Sequence, residues 1–437
     1  MKNVFRALSG VAAAFVLAFG ITVGIAEQTL PDSFRVVEGQ ELDLQTLGFS
    51  TEPATENEVD VISMNRSTGE YDADILLFNT IPIKTVHVDV TESLMLVPCG
   101  TPFGIKMFTN GVVVVGMSDI DSESGKTNPA TEAGLKIGDI ITNVNGETVN
   151  ENEEVSKAIQ DCNGEPLVLT VKRDTETLEI SLNPVKSSQD GSYKGGLWVR
   201  DSTAGIGTVT FYNPENGLFG GLGHGICDVD TNSLMPMKNG DIVPVTISGV
   251  TKGQKGAAGE LRGYFSSNQA IGNLFINSDE GVYGQLDASP VEQQALPVAM
   301  KQEVKEGPAQ ILTTVADGEP QYYNVTIESI EYKNSSRVKN LVVLVTDEVL
   351  LEKTGGIVQG MSGSPIIQNG KIVVLNINVS EYTFLSKIIA TYLKLDFQTE
   401  VMSFLANNIA KKNIFVCDEY DKFCTKTDAD FFSMSRE

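Results

Sequence analysis

Between residues 229 and 346 the chain repeats one short pattern. Apolar-rich stretches of five to ten residues recur at Ile242–Ile247, Leu261–Phe265, Gly281–Leu286, Ala309–Val315, Tyr322–Glu331 and Asn340–Val345. Polar or glycine-bearing segments separate them, and no long helical period intervenes. Many short strands without helices between them fold as barrels or sandwiches. The chain has 437 residues, 41% of them hydrophobic, which is enough for two or three cored domains.

Against this background one turn stands out, Gly360-Met361-Ser362-Gly363-Ser364-Pro365. A serine held between glycines can project its hydroxyl while neighbouring backbone N–H groups converge on one point. A nucleophile with an oxyanion hole needs that geometry. The base has few candidates, because the chain contains two histidines. His87 lies in the alternating run Ile83–Val90 and reads as a strand residue on the polar face. His224 lies in Gly220-Gly221-Leu222-Gly223-His224-Gly225, where glycines leave the ring accessible. Cys227, three residues on, is a conceivable thiol nucleophile but has no oxyanion turn of its own.

Gly223-His224-Gly225 and Gly355-Gly356-Ile357-Val358-Gln359-Gly360-Met361-Ser362-Gly363-Ser364-Pro365 together resemble the stage IV sporulation protein B peptidases. These are secreted serine peptidases of endospore-forming bacteria, with a PDZ domain ahead of a trypsin-like domain. The resemblance covers roughly residues 30–372. It implies Ser362 as nucleophile, His224 as base, and the N–H groups of Gly360 and Ser362 as the oxyanion hole. By the same match Asp347, in Val343-Leu344-Val345-Thr346-Asp347-Glu348, would orient the imidazole, with Asp201 as second choice. Asp228 is close to His224 in sequence but is expected to point along the same turn.

The expected class is mainly β: an N-terminal membrane or signal segment, a small α+β PDZ domain, then a trypsin-like double β-barrel with an atypical helical tail. Residues 1–26 begin with Lys2 and Arg6 and run uncharged from Ala7 to Ala26, which suits a signal or an anchor, an anchor slightly better. The positive-inside bias places the rest outside the cytoplasm. Residues 27–95 form an acidic, β-rich segment. Residues 96–186 read as the PDZ domain, on the phrase Ala133-Gly134-Leu135-Lys136-Ile137-Gly138-Asp139-Ile140-Ile141 and the Asn145-Gly146 hairpin turn. Its peptide-binding loop is expected at Pro102, Phe103, Gly104 and Ile105, within Gly100–Ile105, although this departs from the common PDZ pattern. After a polar linker the peptidase domain occupies 193–437, opening near Trp198, which is expected in the core.

The formal net charge of −25 argues against nucleic acid and anionic lipid as partners. No cofactor or metal is expected: two distant histidines make a histidine-based cluster improbable, and no phosphate loop occurs. Five cysteines at irregular spacing give no disulfide framework, though Cys417 and Cys424 could bridge. After Ile372 the resemblance stops, so 373–437 is atypical: Val373–Val379 is expected as a strand, then Phe384–Lys394 and Phe397–Asn413 as helices. Either a reading-frame change or true divergence accounts for the break.

The resemblance implies an exported serine endopeptidase that cleaves a membrane-bound regulator of an intramembrane metalloprotease, between forespore and mother cell. Its PDZ domain would take a peptide ligand or a segment of its own chain. The alternative is a PDZ-containing extracytoplasmic binding protein whose peptidase domain is impaired.

Overall fold

The computed structural model describes residues 17, 20, 23–54, 69–254, 257–279, 281–330, 341–374, 378–379 and 391–392. Within them strands dominate and helices are few and short. Four buried clusters of side chains mark four units, and a fifth cements a junction between them.

The first unit is a four-stranded sheet in the order Ser33–Val37, Ile81–Thr91, Gly69–Leu77, Phe49–Pro53. Period-two alternation turns Ala73, Ile75, Val86 and Val88 into its core with Phe34. The opposite face carries Glu70, Asp72, His87 and Asp89, so His87 is the polar-face strand residue expected. Most of the expected segment 1–26 lies outside the described residues. No described helix is long and apolar enough to cross a membrane.

The strand Met95–Met117 organises the next two units. Its first half pairs on both sides, with Leu197–Tyr212 and with Met237–Thr251. Phe103, Gly104 and Ile105 open this doubly paired stretch and Pro102 directly precedes it, the four lying opposite Gly207, Ile206, Gly205 and Thr208 respectively on one side. On the other side Phe103, Gly104 and Ile105 face Pro244, Val243 and Ile242. Phe103 and Ile105 are fully buried, and Phe103 packs edge-on against Phe219 at 5.7 Å. The expected peptide-binding loop is therefore corrected: Phe103, Gly104 and Ile105 have both edges occupied, and Pro102 pairs with Thr208, so this stretch is a strand inside the barrel and not an open loop. They belong to a barrel-like unit with strands Leu218–Gly221, Gly272–Ser278 and Gly281–Leu286.

The PDZ unit is inserted where this hairpin opens. Its core spans Val112 to Leu182, from the far end of Met95–Met117, strands Ile140–Val144, Leu167–Arg173 and Glu176–Leu182, and helix Asn152–Asp161. The helix starts at a capping box between Glu151 and Glu154. Asn145 and Gly146 both have positive φ (52° and 83°), as the Asn-Gly hairpin turn requires. The chain leaves the unit through Leu197–Tyr212, so residues 97–109 of the expected PDZ span are shared with the barrel. Trp198, expected in the core, is 64% exposed on this returning strand. Its neighbours Leu197 and Val199 pack on the PDZ core instead.

Met237–Thr251 crosses into the last unit: Ile242 packs in the barrel core, Ile247 in the next. There a sheet runs in the order Leu341–Val345, Gln321–Ile330, Gly307–Thr313, Ile366–Gln368, Lys371–Val374. Ile311, Val343, Leu350, Val358, Met361 and Ile366 are wholly buried in its core. Each such side chain contributes about 1.5–3 kcal/mol by leaving water. Beyond residue 374 two short strands, Asn378–Val379 and Thr391–Tyr392, pair with each other. Thr391 and Tyr392 thus correct the helix expected over 384–394 at that point; the rest of the expected helices, Cys417 and Cys424 lie outside the described residues.

Candidate active site

His224 follows directly from a strand end. Leu218–Gly221 pairs with Gly281–Leu286, and then the backbone reverses through Leu222 (φ 64°) and Gly223 (φ 79°). Leu222 is buried, so a bulky residue accepts the left-handed conformation to fix the turn. Downstream, buried Asn277 holds the loop in place: its Oδ1 accepts from the Ile226 N–H at 2.7 Å, and its Nδ2 donates to the Ile226 and Met235 carbonyls. His224 sits half-buried between these anchors. Its Nδ1 lies 3.0 Å from the Gly225 carbonyl. A carbonyl can only accept, so this contact places the proton on Nδ1 and leaves the Nε2 lone pair for a base.

Ser362 is delivered by the other core. Helix Glu348–Thr354 ends at Gly355 in the left-handed conformation, and the chain returns through Ile357 and Val358 into the core. The turn pivots on Gly360 and Gly363, both at φ 91°. It is tied down by Thr208 Oγ1 donating to the Gly360 carbonyl at 2.8 Å and by the Met361 N–H donating to Val358 O. Ser364 is fully buried, and its hydroxyl donates to Met361 O at 2.7 Å, a structural role. Ser362 is 8% exposed. Among the described residues no protein acceptor meets the N–H of Gly360 or of Ser362, the two donors an oxyanion would need.

The two loops touch. A Cβ added to Gly363 would lie 2.5 Å from the Thr208 carbonyl oxygen and 2.6 Å from the Leu222 nitrogen. Only glycine lets the serine turn close onto the histidine loop. Among the described residues no hydrogen bond joins Ser362 Oγ to the ring, whose Nδ1 meets the Gly225 carbonyl.

Residues 191–379 match the family model for the SpoIVB peptidase S55, and residues 103–183 match the PDZ domain model. Residues 191–379 are thus similar to SpoIVB S55 peptidases. The S55 match runs on past residue 372, as far as residue 379. A probable periplasmic serine endoprotease DegP-like of Brucella suis is 32% identical over 125 residues, 26% of this chain and 23% of that protein. Serine protease HTRA1 of Xenopus laevis is 45% identical over 56 residues, 13% of this chain and 12% of that protein. The chain thus spans less than a quarter of the curated relatives it matches. A solved PDZ domain of the SdrC-like protein from Listeria monocytogenes is 19% identical, covering 21% of this chain and 87% of its own. Its TM-score of 0.17 carries no weight for the fold.

The acidic candidates make hydrogen bonds of their own. Asp347 is the N-cap of helix Glu348–Thr354: Oδ1 accepts from the Val349 and Leu350 N–H groups at 3.0 and 3.1 Å, and Oδ2 from Asn324 N–H. It follows the edge strand Leu341–Val345, with two strands between it and Ile366–Gln368. Among the described residues none of the Asp347 hydrogen bonds reaches His224. Asp201 accepts from the Asn152 N–H at 2.8 Å, at the PDZ helix. Asp228 is buried and bound by Arg200, and its Oδ1 caps the Asp230 and Thr231 N–H groups. The ring's partner is a backbone carbonyl, which no residue-type search could reveal. Cys227 is buried, as are Cys99 and Cys162; burial pushes the Cys99 thiol far up, which makes it inert.

Proposed function

We propose that the chain is a serine endopeptidase working through a Ser362–His224 dyad, within a trypsin-like pair of β units. The observation that carries the reading is the contact of Gly363 with Leu222 and Thr208, which brings the loop of one core against the loop of the other. His224 Nε2 takes the Ser362 proton as Oγ attacks a peptide carbonyl. The oxyanion then accepts from the Gly360 and Ser362 N–H groups, and the imidazolium protonates the leaving amine. The Gly225 carbonyl on Nδ1 fixes the tautomer and stabilises the imidazolium through its dipole. Ser362→Ala should abolish cleavage of a denatured protein substrate with folding intact. Retained cleavage by the purified variant would refute the dyad.

The substrate we infer is a protein segment outside the cytoplasm, and the sporulation regulator implied by the resemblance is the leading case. The PDZ unit would take an extended peptide along Leu197–Arg200, whose one edge pairs with Val113–Met117. Strand addition there would cover Trp198. A non-catalytic binding role is favoured by one observation, that among the described residues no hydrogen bond joins Ser362 Oγ to the His224 ring; absence of turnover alongside peptide binding would select it.

A further inference from the structure

The outer face of the N-terminal sheet holds a cluster that the peptidase reading does not use. Glu70 is the direct cross-strand partner of Asp89, and Asp72 that of His87. Residues two apart on a strand share a face, so all four side chains stand together. The imidazole is aimed rather than free. Asp72 Oδ1 lies 3.0 Å from Nδ1, while Glu70 Oε2 and Asp89 Oδ1 lie 3.3 and 3.5 Å from Nε2.

Two features of this arrangement point to a cation. Carboxylates facing each other across a strand pair repel. Here Glu70 opposes Asp89, with Arg35 at 3.7 Å from Asp89 and the His87 ring, a cation only when protonated, between the two carboxylates. A further positive charge between them would convert that repulsion into binding. Second, a carboxylate on Nδ1 fixes the proton there, the way histidine ligands are usually held, and leaves Nε2 facing the Glu70 and Asp89 carboxylates. The donor spacing fits as well. Ligands at about 2.0–2.2 Å around one ion stand roughly 3.0–3.5 Å from one another. The three donor atoms of Glu70, His87 and Asp89 all lie within 4.8 Å of one another.

We propose that Glu70, His87 and Asp89 form a surface site for a divalent transition-metal ion of the zinc class, with Asp72 orienting His87. An imidazole with two carboxylates suits zinc or its neighbours better than magnesium or calcium, which take oxygen alone. The ion would tie strand Gly69–Leu77 to strand Ile81–Thr91, and solvent would complete its coordination. The sequence expectation of no metal considered only histidine-rich sets, and this set is mostly carboxylate. The proposal does not depend on the peptidase reading.

The test is calorimetric titration of zinc chloride into the full chain, in a non-chelating buffer at neutral pH. One binding event is expected. His87→Ala should abolish it, Asp72→Asn should weaken it about 10–100-fold, and His224→Ala should leave it unchanged. Magnesium at a large excess should not displace it. Glu70→Gln with Asp89→Asn, which leaves both histidines, should also abolish it and guards against a folding defect in His87→Ala. No zinc binding by the parent chain, or parent-like binding by folded His87→Ala, overturns the proposal. Loss in His224→Ala with retention in His87→Ala would move the site to the peptidase loop and overturn it equally.

Discussion

Gly363 meets Leu222 so closely that the α-hydrogen of one residue occupies the only space the other leaves. The gap to the Leu222 nitrogen from an added Cβ would be 2.6 Å, and Leu222 precedes His224 by two residues. The nucleophile turn and the base loop come from different cores, so this contact sets their spacing.

Gly363→Ala therefore adds a methyl where none fits, at a positive φ that costs about 1 kcal/mol by itself. The turn must retreat from the loop. We expect turnover to fall at least about 100-fold, since a displacement of about 1 Å at the reacting atoms costs that much, while the melting temperature drops by only a few degrees. Peptide cleavage and thermal melts on one preparation check this; parent-like turnover would contradict it.

Asp347 separates capping from catalysis. Asp347→Ala removes the acceptor for the Val349 and Leu350 N–H groups and should cost about 1 kcal/mol. Asp347→Asn keeps a good cap and should be near neutral. Both should retain the parent rate per folded molecule. A loss of turnover in Asp347→Asn approaching the ~10⁴-fold of a lost triad acid would restore the carboxylate to the triad.

Arg200 lies on the strand leaving the PDZ unit, yet it binds Asp228 and, at 2.7 Å, Asp230, both in the His224 loop. Asp228 is almost wholly buried, so Arg200→Ala strands a charge. Partial exposure of Arg200 moderates the loss to about 1–3 kcal/mol. Arg200→Lys should recover only part of it, because one ammonium replaces a fork shared by two carboxylates. Denaturant unfolding of the two variants tests the order Ala below Lys below parent; equal stability of Arg200→Ala and parent would deny the link.

Phe103 and Trp198 exchange the roles their surroundings in the sequence suggest. Phe103→Ala should cost about 3–5 kcal/mol as a core deletion. Trp198→Ala should leave stability within about 0.5 kcal/mol, as an exposed substitution, and weaken peptide capture by the PDZ unit. Chemical unfolding with peptide titration decides; a soluble, stable Phe103→Ala that lost only peptide binding would return Phe103 to the PDZ groove.

What the sequence discloses and conceals follows from range. The serine turn, the glycine-flanked His224 and the Asn145-Gly146 hairpin are local chemistry, legible residue by residue. Strand pairing is not local: Gly100–Met107 alternates as well for a PDZ edge as for a barrel centre, and only its two partners decide. At Asp347 two signals meet: the resemblance marks a triad acid, while Asp-Glu-Val-Leu-Leu-Glu-Lys-Thr-Gly-Gly spells an N-cap, a short helix and a glycine stop. The Gly225 carbonyl carries no side-chain signal at all. Glu70, Asp72, His87 and Asp89 alternate visibly, but their meeting depends on a hairpin register across residues 78–80 that composition does not fix.

The central claim is that Ser362 is a nucleophile activated by His224. A fluorophosphonate probe reacts only with a serine so activated, and mass spectrometry reports which one. The account predicts one adduct per chain on Ser362, no adduct in Ser362→Ala, and labelling slowed at least about 100-fold in His224→Ala, the lower end for loss of a general base. Labelling on another serine, no labelling of the folded parent chain, or an unchanged rate in His224→Ala would contradict it.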